Sequence, residues 1–234
     1  MTTIAARLQA VNERITAAAR AAGRLPRDVA LVAVSKTFPA AAVAEGNAAG
    51  QRAFGENYVQ EALDKMSALA GRDIEWHFIG PIQSNKTRPI AEAFAWVHGV
   101  DRQKVAQRLS DARPPGLPPL QVCLQVNVSG EASKSGAAPA EVLALARSVA
   151  ILPRLRLRGL MAIPEPTDDA ALQRSRFRRL RELKEEIVAA GIALDTLSMG
   201  MSGDMEAAIA EGATIVRIGT AIFGARPAIR ASLA

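Results

Sequence analysis

Eight short apolar runs, rich in β-branched residues, alternate along the chain with alanine-rich amphipathic stretches. That alternation constrains the fold more than any other feature. Parallel strands joined by crossover helices produce it, because a strand buried on both faces reads as a near-continuous apolar run. Strands are expected at Val29 to Lys36, Arg52 to Glu56, Ile74 to Gly80, Trp96 to Val100, Leu120 to Val128, Leu155 to Ile163, Thr196 to Met199 and Thr214 to Gly219. Helices are expected between them, among them Tyr58 to Leu69, Pro139 to Ala150, Asp169 to Ala190 and Asp204 to Glu211. Eight such units favour a single (β/α)8 TIM barrel of the α/β class. A barrel of this kind uses about 250 residues, so residues 1–234 are expected to form one domain. An open doubly wound sheet is the runner-up. Its glycine-rich GxGxxG turn is missing, since Lys36, Thr37, Phe38 and Pro39 occupy that place. The proline-rich stretch Pro114 to Pro119 reads as a loop, because strand-like units continue on both sides of it.

Ahead of the first strand, Ile4, Leu8, Val11 and Ile15 recur at helical spacing with Arg7, Arg14 and Arg20 between them. A transit peptide has a similar pattern, but Glu13 is wrong for one, and Gly23 followed by Pro26 is an ordinary helix stop. The segment therefore reads as an extra N-terminal structural helix. No segment has the apolar length of a membrane span. Cys123 is the single cysteine, which excludes an internal disulfide and a cysteine pair for zinc and points to a reducing, cytoplasmic setting. The formal net charge is +6, but the arginines are scattered. The densest run, Arg174 to Arg181, surrounds an apolar helical stripe of Phe177, Leu180, Leu183 and Ile187, so it reads as a solvated helix face. With an aromatic share of 4%, a stacking platform for nucleic acid is not expected.

In a βα barrel the reactive groups gather at the carboxyl ends of the strands. Lys36 closes the apolar run Val29 to Val34, where partial desolvation lowers an ammonium pKa and leaves a neutral amine able to attack an aldehyde. The plain reading is a lysine snorkelling to water. The far end of the chain shifts that balance. Ser198 to Asp204 joins strand seven to a helix, and Arg217 to Thr220 closes strand eight. Barrels frequently bind phosphate in the loops after these two strands, and hydroxyls, glycines and helix-start amides suit an anion. Helix capping by Ser202 or Asp204, and relief of backbone crowding by Gly219, are the structural alternatives. Closure of the barrel brings strand eight beside strand one, so a phosphate at Ser202, Gly219 and Thr220 lies near the Lys36 amine. One ligand carrying both a phosphate and an aldehyde fits this arrangement, pyridoxal 5′-phosphate. Arg217 is a candidate partner for its ring, with a structural ion pair as the other reading; against the pyridine nitrogen it disfavours protonation and weakens the electron sink. Asn57 and His77, expected to close strands two and three, are weaker candidates for ring contacts, and a satisfied buried histidine is the ordinary reading of His77. Tyr58 is expected to pack.

With these residues assembled, the chain resembles the pyridoxal-phosphate homeostasis family from its first strand to its last. The matching segments are Val32 to Thr37 (VAVSKT), Phe54 to Tyr58 (FGENY), Trp76 to Lys86 (WHFIGPIQSNK), Gly159 to Pro164 (GLMAIP), Met201 to Met205 (MSGDM) and Arg217 to Gly224 (RIGTAIFG). The resemblance implies a barrel similar to the cofactor domain of alanine racemase. It also implies pyridoxal phosphate linked to Lys36, phosphate contacts at Ser202, Gly219 and Thr220, a pyridine-facing Arg217, and delivery of the cofactor without robust turnover. Ser198 joins the same set at the end of strand seven. Apo-enzymes that use the cofactor are the candidate recipients. Phe38 stands where some members carry another lysine. Lys134 and Lys86 lie in matching segments and read as exposed loop lysines.

The alternative reading is a pyridoxal-phosphate amino-acid racemase. A racemase needs a second base on the opposite face of the substrate carbon. Racemases of this barrel type take a tyrosine for it from an additional domain, which the chain is expected to lack, and its one tyrosine, Tyr58, belongs to the second βα unit. A class I aldolase is the third reading. A monomer is the expected oligomeric state.

Overall fold

The structure is a computed structural model, and it describes residues 2–130 and 135–225. Lys134 lies outside the described residues.

Eight parallel strands close on themselves in chain order, with β8 returning to pair with β1. They are β1 (Ala30–Val34), β2 (Ala53–Glu56), β3 (Glu75–Phe78), β4 (Trp96–Val100), β5 (Leu120–Gln125), β6 (Leu155–Met161), β7 (Thr196–Ser198) and β8 (Ile215–Ile218). All eight were legible in the sequence, although most are shorter than expected at one or both ends. The helices are α1 (Ile4–Ala21), α2 (Ala40–Ala48), α3 (Val59–Ala68), α4 (Thr87–Ala93), α5 (Gln103–Ala112), α6 (Val142–Ala150), α7 (Ala170–Ala189), α8 (Met205–Ala210) and α9 (Thr220–Phe223). Pro139–Glu141 forms a short 3₁₀ turn ahead of α6, and Ser84–Lys86 forms another ahead of α4.

The period-2 alternation of the strands sorts side chains into two cores. Outward residues such as Ala33, Val97, Leu160 and Val216 pack against the helices in a large apolar shell. Inward residues Val32, Trp96, Cys123, Met161 and Ile215 make a small apolar cluster inside the barrel. The rest of the interior is polar, with Arg217, Ser198, His77, His98 and Gln125 all buried. Burial pushes the Cys123 thiol up to about 12, so it is an inert packing group. Where β6 and β7 meet, a Cβ added at Gly159 would stand 1.8 Å from the Thr196 carbonyl oxygen. Gly159→Ala is expected to destabilise the fold by about 1–3 kcal/mol or more, since the backbone must separate to admit it. A urea titration reads this directly.

The N-terminal helix has a defined place. The helix that follows β8 spans only Thr220–Phe223, and α1 fills the position, packing between α8 and α2 and against α9. Its buried face is Leu8, Val11, Ile15 and Ala19. Polar anchors hold its start and its middle: Thr3 caps it through Ala6 N–H, Ile4 N–H donates to Glu45 of α2 at 2.9 Å, and Arg14 pairs with Glu206 of α8 at 2.7 Å.

The stripe Phe177, Leu180, Leu183 and Ile187 is buried as its spacing required. Its flanking arginines are more than a solvated face. Arg174, Arg178 and Arg181 converge on the buried carboxylate of Glu211, Arg176 faces Glu165, and Arg179 pairs with Glu186. Burial by itself raises the Glu211 pKa, but the bonds from Arg178 and Arg174 outweigh it and leave the group below its ordinary value. A carboxylate lowered by folding stabilises above its unfolded pKa of about 4.3, and the contribution is lost as pH falls through the folded value. Glu211→Gln is therefore expected to flatten the acid limb of the stability curve, measured as urea midpoint against pH.

Candidate functional site

A cavity of about 250 Å³ opens at the carboxyl ends of the strands, lined by residues that include Lys36, Asn57, Ser202, Arg217, Gly219 and Thr220. Small-molecule sites usually run from about 300 to 1,000 Å³, so the space suits a ligand of one ring with small substituents. Val34, Phe38, Ile79 and Ile163 add apolar walls.

Register explains why distant sequence segments meet here. Val32 pairs with Arg217 and Ala33 with Ile218 across the closure, so Lys36, just past β1, stands next to the Gly219–Thr220 corner that ends β8. Gly219 leaves room at the closure: an added Cβ would lie 3.1 Å from the Val34 carbonyl oxygen. The loop after β7 is shaped by two residues. Gly200 takes φ +97, and a Cβ there would strike Ala208 at 2.6 Å. Asp204, at the N-cap position, accepts from the Met201 N–H at 2.6 Å instead of capping α8. Burial raises its pKa, opposed by that backbone bond and by Arg217. The helices that start at this rim are six and four residues long. Helices this short carry a small dipole, so what the rim offers an anion is individual N–H groups and the Ser202 and Thr220 hydroxyls.

The Lys36 corner has a frame that sequence reasoning missed. Thr37 holds φ 70, an unfavourable conformation for a β-branched residue. Glu61 accepts from the Thr37 N–H at 2.6 Å. Lys65, buried on α3, donates to Glu61 at 2.6 Å, to Glu56 at 2.7 Å and to the Ser35 carbonyl at 2.8 Å. Ser35 Oγ donates to Glu56 at 2.6 Å. The residues on either side of Lys36 are thus clamped by one buried ion cluster. Desolvation raises the Glu56 pKa, and Lys65 opposes the rise. A sequence signal existed: Glu61 and Lys65 are an i,i+4 pair on α3, but nothing local marks the pair as buried.

Arg217 is 3% exposed and is fixed on two sides, donating from Nη1 to Ser198 Oγ at 2.6 Å and from Nη2 to the Ala162 carbonyl at 2.9 Å. Burial pulls its pKa down to about 10, with Asp204 opposing, so it remains cationic at neutral pH. Two sequence candidates fall outside the cavity lining. His77 lies within β3 and not at its close, and it points along the barrel interior, where it meets Glu75 and His98. Ser198 ends β7 but is wholly buried beneath the cavity, between Arg217 and His98. Asn57 does line the cavity, and its Oδ1 is buried with no protein partner among the described residues. Tyr58, expected to pack, is 56% exposed at the start of α3. Lys86 ends the 3₁₀ turn ahead of α4, at the surface as expected. Among the described residues no cluster of His, Cys, Asp or Glu is arranged to hold a metal, and no helix is long and apolar enough to cross a membrane.

The family model "Alanine racemase, N-terminal domain" matches residues 6–227. A pyridoxal phosphate homeostasis protein of Pseudomonas aeruginosa is 67% identical over 97% of both chains, and one from Escherichia coli K12 is 55% identical over 97% of this chain and 98% of its own. Among solved structures, PipY from Synechococcus elongatus with PLP bound superposes with a TM-score of 0.83 at 40% identity, covering 95% of this chain and all of that one. Alanine racemase from Corynebacterium glutamicum shares the fold, with a TM-score of 0.70 at 17% identity over 97% of this chain and 64% of its own. With identity this high across nearly the whole barrel, the chain belongs to the pyridoxal phosphate homeostasis proteins, within the alanine racemase N-terminal domain family.

Proposed function

We propose that this chain holds pyridoxal 5′-phosphate in the carboxyl-end cavity through a reversible imine bond to Lys36 and delivers it onward, serving cofactor homeostasis without robust turnover. The observation that carries the reading is the meeting, in one small cavity, of an amine (Lys36), hydroxyl groups beside glycine backbone (Ser202, Gly219, Thr220) and a fixed cation (Arg217). The residues fit the group. The apolar walls suit a ring, and the buried Asn57 Oδ1 without a protein partner suits a polar ring substituent. The PLP bound by the PipY protein of Synechococcus elongatus supports the same assignment.

When bound, the cofactor supplies an aldehyde. Lys36 would hold it through its amine, the aldehyde oxygen leaving as water with the two amine protons. Return of water reverses the bond and frees the ligand, which is the property a carrier needs. Ser202 and Thr220 orient the phosphate by hydrogen bonding. Arg217 presents a positive guanidinium that disfavours protonation of a nearby ring nitrogen, so the site is poorly suited to stabilising a carbanion.

The racemase reading lacks support at the second base. Tyr58 is the chain's one tyrosine, and it is exposed on α3, outside the cavity lining. Incubation of the loaded protein with a panel of amino acids in deuterium oxide is expected to give no sustained exchange at the α-carbon. Exchange with inversion over many turnovers would defeat the carrier reading. Within this reading the barrel works as one domain and a monomer, in a cytoplasm where apo-enzymes are the recipients. Light scattering of the loaded protein tests the oligomeric state, and transfer to a cofactor-free aminotransferase tests delivery.

A further inference from the structure

A line of hydrogen bonds crosses the barrel interior from end to end. At the cavity, Arg217 Nη1 meets Ser198 Oγ at 2.6 Å. Ser198 Oγ lies 2.7 Å from His98 Nδ1, His98 Nε2 lies 2.9 Å from His77 Nδ1, and His77 Nε2 lies 2.9 Å from Glu75 Oε1. Glu75 opens β3, so it stands at the amino end of the barrel, opposite the cavity. Its side chain is 51% exposed, whereas the side chains between it and the cavity are buried.

Donor and acceptor chemistry gives the line a direction. A guanidinium only donates, so Ser198 accepts from Arg217. If Ser198 sends its single proton to His98 Nδ1, His98 carries its own on Nε2 and donates to His77 Nδ1. His77 then carries its proton on Nε2 and donates to the Glu75 carboxylate. Every group is used once, both histidines are neutral, and the line ends on a negative charge. The reverse order leaves His77 Nε2 as an acceptor facing Glu75, which requires a protonated carboxyl there. It also turns the buried Ser198 proton away from His98. Burial lowers both histidine pKa values, and the His77 bond lowers that of Glu75, which is the protonation pattern of the first order. Trp96 stacks on His77 with ring centroids 5.5 Å apart, and its indole together with Arg52 also acts on Glu75.

We propose that Glu75, His77, His98 and Ser198 are positioning residues, and that the Glu75 carboxylate fixes from the far end of the barrel how Arg217 is presented to the ligand. The inference rests on the reading of the cavity as a pyridoxal phosphate site. Its function is to hold a buried cation in one orientation through neutral hydrogen-bond partners. A carboxylate bonded directly to Arg217 would neutralise it and repel phosphate; Asp204, whose charge reaches Arg217 from the rim, is bonded to the Met201 N–H instead, and the carboxylate that the line itself ends on stands at the opposite end of the barrel.

The chain contains two histidines, so selective ¹⁵N labelling reports both links. In the protein without ligand, both rings are expected as the neutral Nε2–H tautomer at pH 7. An Nδ1–H tautomer or an imidazolium at His98 would overturn the proposal, whether or not the ligand binds. With pyridoxal phosphate, Glu75→Leu is expected to weaken binding about two- to tenfold, the range of one hydrogen bond, and to shift the imine absorption band. Glu75→Gln, which keeps an acceptor for His77, restores most of the affinity. In a Ser198→Ala background the Glu75→Leu change should have no further effect. Equal losses in both backgrounds, or no effect of Glu75→Leu in either, would overturn the proposal. Failure of the wild type to bind pyridoxal phosphate would instead overturn the cavity reading, leaving the tautomer measurement to judge the hydrogen-bonded line.

Discussion

Lys36→Ala is expected to abolish the absorption band that the wild-type protein acquires with pyridoxal phosphate, and to leave only noncovalent binding that dialysis removes. The reasoning is geometric. Lys36 is the amine that the β1 corner delivers to the cavity, and Lys65 of the same neighbourhood is committed to Glu56, Glu61 and the Ser35 carbonyl. Lys65 therefore cannot substitute without breaking a buried cluster. Ser202, Gly219 and Thr220 come from the loops after β7 and β8 rather than β1, so the phosphate contacts proposed for them are expected to survive the substitution. A variant that keeps weak affinity but loses the band is the expected phenotype, read by absorbance and equilibrium dialysis on the same sample.

The second large effect is expected at Lys65. Lys65→Met removes the cation and leaves Glu56, which is fully buried, with only the Ser35 hydroxyl as a partner. Breaking a buried pair in this way costs about 3–5 kcal/mol, measured as a urea unfolding midpoint. The pH dependence identifies the cause. Folding already raises the Glu56 pKa by desolvation, and Lys65 is what holds the rise in check. With Lys65 gone the folded value climbs further above the unfolded one. A raised carboxylate pKa destabilises the fold increasingly as pH climbs from the unfolded value through the folded value. The stability deficit of Lys65→Met should therefore shrink as pH is lowered toward the unfolded carboxylate pKa of about 4.3. The double variant Lys65→Met with Glu56→Gln should recover part of the loss at neutral pH. The same substitution also releases the Ser35 carbonyl and frees Glu61, which holds the strained Thr37 N–H, so imine formation at Lys36 should slow as well.

The eight strands and the barrel were readable because burial on both faces writes an unbroken apolar run into each strand, and the closure then followed from their number. The role of α1 was not readable. Its stripe announced a buried face, but only the four-residue length of the helix after β8 shows which gap it fills. That Lys36, Ser202, Gly219 and Thr220 line the carboxyl-end cavity was legible since each ends a strand or begins a loop. His77 and Ser198 were drawn to the cavity by the same rule, although their side chains turn along the interior. Alternation carried the needed signal: Glu75 and His77 share one face of β3, and Trp96 and His98 share the inward face of β4. His98 was passed over because an inward polar residue in mid-strand has no local mark of a partner. The Glu56, Glu61 and Lys65 cluster was hidden for a related reason, since its members come from a strand end and a helix that meet only in three dimensions.

The central claim is that one amine in this chain forms a reversible covalent bond to pyridoxal phosphate. Borohydride reduction of the loaded protein followed by peptide mass analysis tests it most directly, because reduction makes the bond permanent and the peptide map locates it. The account predicts a single reduced phosphopyridoxyl group on the peptide that contains Lys36, in near-stoichiometric yield, and none in Lys36→Ala. An unmodified Lys36 peptide, or label spread over Lys86, Lys104, Lys134 and Lys184 with no preference for Lys36, would contradict it.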